Sequence, residues 1–590
     1  MTRTSGRGRG ATPTRRALLK GAGASAVALV LGVHVPFAER AGAASAPAPG
    51  IFDPNVFLRI GADNTVTIQS KHFEMGQGIT TGLATLVAEE LEADWSQMRV
   101  AFAPNDPKLY NNLAFGPHML TGGSTSLAYS WEQMRKVGAA ARIMLATAAA
   151  SRWGVRAEEL SVANGIVSHP RSKRSARFGE LAADAANVPV PTSVALKDPK
   201  DWKLIGKRLP RLDSVAKTTG SAKFALDVRR PGELIAMVRR PDHFGAKVLS
   251  VDDRYARSIP GVADVVRVPS GVAVLATDTW SAMAGRDGLR ITWDTSAAEL
   301  RSTSEILEEY RRLAKGPGFD AARRGDAAAA LTKASQVLEA EFTFPYLAHA
   351  PMEPLNAVIE LRPGGAEIWS GCQMPSPDTY LAAKVLGLAP EQVKINTLLG
   401  GGSFGRRGDP NGTWIGELAE IAKAAGGRSP VHVVWSREDD IKGGHYRPLA
   451  LHRVKAGLDM AGQLSGWQHK VVCQSVFLGT PLEEEIAKDG FDRGSVGGLA
   501  DTPYDISDFS VESHDADRRC RSLPGAPWPT LTRRTPSRRR STSLRAELER
   551  TPSRSAAACS PSILATLLSW NWPQRRRAGE GRWQRGAGAE

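Results

Sequence analysis

The stretch "LLGGGSFGRRGDPNG", residues 398–412, places three consecutive glycines after an apolar pair and ahead of two arginines. Two more glycine-rich segments occur earlier in the chain, "EMGQG" at residues 74–78 and "TGGSTS" at residues 121–126. Backbone N–H groups in turns of this kind can form a cradle for an anion. One glycine loop alone is usually only a tight turn, whereas three together predict a single large phosphorylated ligand that is held at several points.

The three loops do not match the phosphate-binding P-loop, because none of them continues into Gly-Lys-Ser/Thr. Both early loops precede helical patterns: we expect a long helix from about Leu127 after the second loop, and a helix after the first. The apolar residues at helical spacing behind the first loop are Leu83, Leu86, Val87 and Leu91.

The rest of the chain mixes strand and helix patterns, which predicts an α+β fold. "VFLRIGADNTVTIQS" indicates two short strands around a turn at residues 62–64. A linker rich in Pro and Lys is expected at residues 187–209, and the strand-rich segment behind it indicates a small β-containing domain. A charged helix is expected at residues 304–314. The next globular unit begins with "QVLEAEFTFP" and extends to residue 517.

The net charge of +15 is concentrated at the two ends of the chain. Residues 518–590 hold 16 Arg, 4 Glu and no Lys or Asp, and residues 1–38 hold six basic and no acidic residues. The stretch between them therefore carries a charge of −3. A slightly acidic body argues against a nucleic-acid partner, in spite of the basic total.

The first residues resemble a targeting segment. Thr14-Arg15-Arg16-Ala17-Leu18-Leu19-Lys20 precedes a small apolar run at residues 21–35 and a site of A-x-A type near residues 41–46. We interpret residues 1–46 as a twin-arginine export signal, which predicts a periplasmic protein or one at the outer face of the cytoplasmic membrane. A chance basic and apolar start is the alternative. No later segment of the sequence is long and apolar enough to predict a transmembrane helix.

Several motifs together resemble the xanthine dehydrogenase and aldehyde oxidase family. "EMGQG", the pattern of Thr121, Ser124 and Ser126, "GGGSFGRR" and the Gln of "EIWSGCQ" are similar to its molybdenum cofactor loops. "SAKFALDVRRPGELIAMVRRP" is similar to its hammerhead domain, and "AHAPMEPLNAV" also has a counterpart there. Here "EMGQG" precedes the hammerhead segment. This permuted order, with an export signal, resembles the isoquinoline 1-oxidoreductase β-subunit branch.

The resemblance covers residues 51–517 and implies an arrangement of domains. Cofactor-binding pieces at residues 51–186 and 335–517 would flank an α/β hammerhead domain at residues 208–295, with the C-terminal part of the cofactor-binding fold missing. The implied cofactor is molybdenum–molybdopterin in a dinucleotide form, with cytosine as one candidate for the nucleotide.

Site residues are carried over from the resemblance position by position. Gln373 would hydrogen-bond an oxygen ligand on molybdenum, and Phe404 and Gly405 would lie beside the metal. No protein side chain would ligate the metal, because the dithiolene of the cofactor holds it. The other implied cofactor-binding residues are Gly76, Gln77, Gly78, Thr121, Gly122, Gly123, Ser124, Ser126, Gly402 and Arg406.

The family chemistry implies hydroxylation of an electron-poor carbon in an N-heterocycle or an aldehyde, with a Glu as the base. Electrons would leave through a small [2Fe-2S] subunit. The cysteines of this chain are Cys372, Cys473, Cys520 and Cys559, and no CxxC pair occurs, so a cluster within this chain is not expected. We expect Cys372 and Cys473 to be buried free thiols.

Structural interpretations compete with the functional ones at several positions. Gln373 could be a satisfied polar side chain and Phe404 a core residue, although their motifs favour the functional role. His349 and Glu353 of "HAPMEP" fit a turn and a site equally well. Arg406 and Arg407 could be solvated charges, and we favour phosphate partners.

Residues 518–590 do not resemble the family. They contain no Lys, Asp, His, Phe or Tyr, a bias that a GC-rich gene read out of frame produces. Codons for "WPTLTRRTPSR", read one base earlier, can encode "VANSHTAYAVE", which is similar to the next segment of the family. The Trp-Arg-Ser-type segment and the Gly-x-Gly-Glu loop with the catalytic Glu are absent from the sequence. We therefore interpret these residues as a frameshifted, disordered tail, for which a genuine basic tail is the alternative. We expect the chain that carries it to be inactive. The alternative to the enzyme is a non-catalytic exported cofactor- or anion-binding protein.

Overall fold

A computed structural model describes residues 29–32, 56–487 and 491–516. The predicted export signal, apart from residues 29–32, lies outside the described residues, and so does the predicted tail at residues 518–590. Both interpretations stay predictions.

The strands of the described residues are β1 (Leu29–Gly32), β2 (Val56–Ile60), β3 (Val66–Ser70), β4 (Met98–Phe102), β5 (Ser161–Ala163), β6 (Ile166–His169), β7 (Arg174–Arg177), β8 (Leu234–Arg239), β9 (Lys247–Asp252), β10 (Val262–Val268), β11 (Gly271–Ala276), β12 (Arg290–Asp294), β13 (Phe319–Arg324), β14 (Gln336–Phe344), β15 (Leu347–Ala348), β16 (Asn356–Arg362), β17 (Gly365–Ser370), β18 (Val393–Thr397), β19 (Val431–Val434), β20 (Tyr446–Arg447), β21 (Ala450–Leu458), β22 (Leu464–Cys473) and β23 (Phe509–Asp515). The α-helices are α1 (Ile79–Leu91), α2 (Pro107–Tyr110), α3 (Thr125–Ala128), α4 (Trp131–Trp153), α5 (Phe178–Ala185), α6 (Ser214–Thr218), α7 (Arg254–Ser258), α8 (Thr279–Asp287), α9 (Thr303–Leu313), α10 (Ala327–Lys333), α11 (Pro375–Leu386), α12 (Thr413–Ala424), α13 (Arg437–Lys442) and α14 (Glu483–Ile486).

The first unit packs α1 and α4 against a sheet of order β1-β2-β3-β4, in which only β3 and β4 are parallel. The predicted turn at residues 62–64 joins β2 to β3, as expected. Gly138 lets the two helices approach closely, because a Cβ there would lie 2.5 Å from the carbonyl oxygen of Val87. The long helix begins at Trp131 and not near Leu127, since Thr125–Ala128 forms a separate short helix after two left-handed residues.

The predicted linker at residues 187–209 packs against this first unit. The backbone N–H groups of Leu204 and Ile205 donate to the buried carboxylate of Glu89, at 2.6 and 3.1 Å. The ammonium group of Lys197 donates to the same carboxylate at 2.9 Å. This segment is therefore an ordered strap, which the Pro and Lys content did not indicate.

The second unit is a seven-stranded sheet of order β10-β11-β8-β19-β16-β17-β18. Its strands β8, β10 and β11 come from the predicted hammerhead segment, and parallel pairing of β8 with β19 joins them to the later strands. Helices α11 and α12 lie over the apolar core that this sheet contributes. The sheet thus crosses the predicted boundary between residues 208–295 and 335–517.

A third large sheet has five strands in the order β13-β23-β22-β21-β14, with α9 and α10 packed against it. Strands β5, β6 and β7 form a separate antiparallel sheet. Two-stranded sheets, β9 with β12 and β15 with β20, lie beside the larger ones. Within the described ranges, no helix is long and apolar enough to cross a bilayer.

A buried histidine pair on neighbouring strands of this sheet makes stability sensitive to acid. His452 Nδ1 and His469 Nε2 lie 3.0 Å apart. Burial lowers the pKa of His452 to about 4, and burial with the neighbouring His452 lowers the pKa of His469 well below its usual value. The unfolded chain takes up protons at these rings below about pH 6.5, whereas in the folded chain His452 does not take up a proton until about pH 4.

We therefore expect His452 to destabilise the fold as the pH falls from about 6.5 to about 4, by about 3 kcal/mol, and His469 to act in the same direction. Above pH 6.5 the pair should have no pH-dependent effect. Urea unfolding of the full chain across this range, compared with His452→Gln, measures the contribution. An equal pH slope in the two proteins would contradict the prediction.

Candidate functional site

Segments that are far apart in the sequence meet at the side chain of Gln373, just after β17. The amide nitrogen Nε2 of Gln373 donates to the carbonyl oxygen of Thr121 at 2.6 Å, and the N–H of Thr121 donates back to the carbonyl of Gln373 at 2.9 Å. The hydroxyl of Ser403 donates to Oε1 of Gln373 at 2.6 Å. Gln373 is only 6 % exposed. The second and third glycine loops are therefore joined through one amide.

The first glycine loop joins the same assembly through Phe73 and Glu74. The N–H of Phe73 donates to the hydroxyl of Thr121 at 2.9 Å, and the N–H of Gly400 donates to the carbonyl of Glu74 at 3.0 Å. The ring of Phe73 fills the space where a side chain of residue 400 would be: a Cβ there would lie 2.3 Å from Cζ. The glycine at position 400 is thus required by close packing.

The carboxylate of Glu74 organises the first loop from inside. It accepts the N–H groups of Gly76 and Gly78, at 2.9 and 3.0 Å, and both the N–H and the hydroxyl of Thr80. Arg211, two residues beyond the strap, donates to the same carboxylate at 3.1 Å. These N–H groups bind an internal anion, which is at odds with the predicted cradle for an external one.

The other members of the first loop also bond within it. The side chain of Gln77 accepts the N–H of Met75 at 2.8 Å and donates to the carbonyl of Phe73 at 2.7 Å. Gly76 and Gln77 remain exposed. The cofactor-binding roles of Gly76, Gln77 and Gly78 stay predictions, and any contact would have to use groups other than these donors.

The second loop turns through Gly123 and Ser124, which both have left-handed backbones with φ of 59° and 56°. Gly122 accepts the hydroxyl of Thr125 at 2.8 Å. Ser126 is buried, and Ser124 is exposed. Among the described residues we find no hydrogen bond from the hydroxyl of Ser124 or Ser126 to the other two loops. Of this predicted set, Thr121 is hydrogen-bonded to Gln373.

The third loop presents Phe404 on a strained turn. Phe404 has a left-handed backbone with φ of 55°, between Gly402 and Gly405 with φ of 94° and 106°. A non-glycine residue rarely adopts this conformation, and a core residue would not be 56 % exposed. The structural alternative of Phe404 as a core side chain is therefore excluded, while its role beside a metal stays a prediction.

A buried ion pair holds the third loop in place. Arg407 is fully buried and donates to the carboxylate of Glu353 at 2.9 Å and to the carbonyl of Gly402 at 3.0 Å. Glu353 in turn accepts the N–H of Gly401 at 2.7 Å. The guanidinium of Arg407 is thus bonded to protein, so Arg407 supports the loop and does not extend to a phosphate. Glu353 therefore orders the turn of "HAPMEP", while both interpretations of His349 stay predictions.

Arg406 points into the protein. Its guanidinium lies 5.1 Å from the ring of Trp435, and its Nε and Nη1 have no hydrogen-bond partner among the described residues. Burial lowers the pKa of Arg406 to about 10, against the nearby carboxylates of Asp409 and Asp440. The predicted phosphate contact of Arg406 stays a prediction, and the side chain as placed does not reach the loop surface.

Two neutral buried groups lie behind Gln373. The thiol of Cys372 donates to the carboxyl of Asp378 at 2.7 Å, and burial raises the pKa of both well above their usual ranges. Cys372 and Cys473 are both buried free thiols, which confirms that prediction. In the described ranges, no cluster of three or more His, Cys, Asp or Glu could hold a metal ion.

Family models match both flanking units. The molybdopterin cofactor-binding domain matches residues 312–514, and a second model with the same description matches residues 9–217. The chain is 34 % identical over 507 residues to isoquinoline 1-oxidoreductase subunit beta of Brevundimonas diminuta, covering 78 % of this chain. The chain belongs to the xanthine dehydrogenase and aldehyde oxidase family. This is the family that the loop motifs indicated.

The chain spans only part of the length of the relatives that it matches. It is 30 % identical to the membrane-bound aldehyde dehydrogenase [pyrroloquinoline-quinone] of Gluconacetobacter polyoxogenes over 80 % of its length. It spans 64 % and 61 % of these two relatives. The solved quinoline 2-oxidoreductase of Pseudomonas putida 86 has a TM-score of 0.43 and 17 % identity, covering 55 % of this chain and 45 % of that one.

Gly400→Ala should loosen the contact between the first and third loops of this family member. The new Cβ would overlap the ring of Phe73, and overpacking of this kind costs about 1–3 kcal/mol. We expect a Tm several degrees lower than that of Gly316→Ala, where the nearest atom, the carbonyl of Leu313, lies 3.5 Å away. Phe73→Leu in the same chain should recover part of the loss. Equal Tm values for the two glycine variants would contradict the role of this packing.

Sequence reasoning missed Ser403, Glu74 and Arg211 as parts of the site. Ser403 stands inside "GGGSFGRR" and Glu74 opens "EMGQG", so motif membership was their signal. Arg211 had none, because its contact with Glu74 spans 137 residues of sequence.

Proposed function

We propose that this chain is the molybdopterin-binding subunit of a molybdenum hydroxylase. The observation that carries the proposal is the meeting of the three loops around Thr121 and Gln373. The nitrogen of the Gln373 amide has one hydrogen beyond the bond to Thr121, and the Phe404–Gly405 turn, with Phe404 exposed, directly follows Ser403. The donor set suits a cofactor that needs positioning but no protein ligand to its metal.

The residues of the chain would hold the cofactor by shape and by hydrogen bonds. Gln373 would donate its remaining N–H, the turn at Phe404 and Gly405 would lie beside the metal, and the backbone of residues 122–126 would face the phosphate. When bound, the cofactor would supply hydroxylation of an electron-poor carbon with water as the oxygen source. A dinucleotide form is proposed, with cytosine as a candidate.

We propose a small aromatic N-heterocycle or an aldehyde as the substrate, and a separate small [2Fe-2S] subunit as the partner through which the electrons leave. The names of the relatives, an isoquinoline oxidoreductase subunit and an aldehyde dehydrogenase, support these two substrate classes. Residues 1–46 are proposed to direct export of the folded protein by the twin-arginine route, to the periplasm or the outer face of the cytoplasmic membrane.

Residues 518–590 are proposed to be a frameshifted tail. The expected catalytic Glu is absent from the sequence, so we expect the chain as written to bind cofactor without turnover. Resequencing the gene across the codons for Asp517 and Arg518 tests this. A gained or lost base would restore a family-like segment with its Glu, whereas an unchanged record together with tail peptides in the source cells would contradict a sequence error.

Metal and pterin analysis tests the cofactor. The full chain, purified from cells that make molybdopterin, should contain molybdenum and pterin in near-equal amounts, and Gln373→Ala should contain less. Pyrroloquinoline quinone in their place would contradict the proposal. Bound cofactor without turnover, in a chain whose reading frame is confirmed, would favour a non-catalytic binding protein.

A further inference from the structure

The amide of Gln373 is held at both ends by groups whose hydrogen-bonding roles are fixed. The carbonyl of Thr121 can only accept, so the atom that faces it at 2.6 Å must be the amide nitrogen. Ser403 accepts the N–H of Arg407 at 3.0 Å, which leaves its single hydrogen for Oε1 of Gln373. Two independent partners thus select one of the two possible orientations of the amide.

A side chain at position 408 would crowd the amide nitrogen of Gln373. The nitrogen carries two hydrogens, and within the described residues only one of them has an acceptor. Gly408 lies next to this nitrogen: a Cβ at position 408 would be 3.2 Å from both Nε2 and Cδ of Gln373. The backbone of Gly408 is not left-handed, so packing and not conformation explains the missing side chain.

We propose that Ser403 and Thr121 are positioning residues that present Gln373 as a hydrogen-bond donor to an acceptor oxygen of the bound group, and that the glycine at position 408 keeps a side chain from crowding this donor. The inference rests on the proposed function for the identity of that group. It adds a selectivity: an anionic or oxo-type oxygen is accepted, while a group that donates a hydrogen at this point meets a second donor and is rejected.

A double-mutant cycle on the cofactor-free full chain tests the positioning. Ser403→Ala, Gln373→Ala and the double variant are compared by thermal unfolding. We expect the two changes to be non-additive in Tm, because each removes the same hydrogen bond. Ser281→Ala removes another buried serine hydroxyl, bonded to Asp278 at 2.8 Å, and should add to Gln373→Ala. Additive effects of the Ser403 and Gln373 changes would overturn the inference.

Cofactor retention tests the selectivity. In cells that make molybdopterin, Ser403→Ala and Gly408→Ala should each lower the molybdenum content per chain about tenfold, the loss expected for about 1.4 kcal/mol. Ser403→Thr restores the hydroxyl and should restore the retention of molybdenum. A role of Ser403 that did not depend on its hydroxyl would not predict this recovery. Gly408→Ala should leave the non-additivity of the cycle intact. Equal retention by the Ala and Thr variants of Ser403 would overturn the role in binding.

The two tests separate this inference from the proposed function. A non-additive cycle in a chain that takes up no molybdenum would leave the positioning standing and overturn the proposed function. Bound molybdenum with additive effects of the two changes would support the proposed function and overturn the positioning.

Discussion

Glu353→Gln is expected to lower the free energy of unfolding by about 3–5 kcal/mol, because it leaves the guanidinium of Arg407 buried without a counter-charge. The side chain of Arg407 is fully buried, and burial already lowers its pKa. The variant keeps the shape of residue 353 and removes only its charge. Chemical denaturation of the full chain measures the difference.

An exposed ion pair supplies the matched control for this change. Lys394 is bonded to Glu367 at 2.8 Å, but its side chain is 69 % exposed. Lys394→Ala should cost no more than about 1 kcal/mol, since solvent screens such pairs. Adding Arg407→Met to Glu353→Gln should recover part of the loss, because no unpaired charge then remains buried. A loss of stability from Glu353→Gln as small as that of the control would contradict the inference that the buried Arg407–Glu353 ion pair holds the third loop in place.

Glu74→Gln should be the second most damaging single change, at about 2–4 kcal/mol. The two carboxylate oxygens accept from three backbone N–H groups, the hydroxyl of Thr80 and the guanidinium of Arg211. An amide places an NH₂ donor against these donors, and each buried donor left unpaired costs about 1–3 kcal/mol. Limited proteolysis should also find the loop at residues 74–80 more accessible.

The control for Glu74→Gln is a change at an exposed carboxylate, whose hydrogen bonds water can replace. Glu339 pairs with Lys455 at 2.7 Å, and its side chain is 63 % exposed. Glu339→Gln should change stability by less than about 0.5 kcal/mol. If Glu74→Gln were equally mild and the loop stayed resistant to protease, the loop would not be organised by this carboxylate.

Local patterns predicted the local structure of this chain well. The spacing of Leu83, Leu86, Val87 and Leu91 predicted α1, and alternation predicted the β2–β3 hairpin, because both depend on neighbours only a few residues away. The strap at residues 187–209 was predicted as a linker, since its order comes from contacts with Glu89, about 110 residues earlier. Composition has no access to contacts at that separation.

The sequence by itself determined the family, because the glycine positions and short motifs can be identified without a structure. Only the tertiary structure decided what the glycine loops do with their N–H groups. In the first loop they bind Glu74, in the third Gly401 binds Glu353, and the amide of Gln373 is left with one free donor. The reason is physical: a backbone N–H is a donor in every sequence, and which acceptor it meets depends on a carboxylate or carbonyl that folding brings within 3 Å.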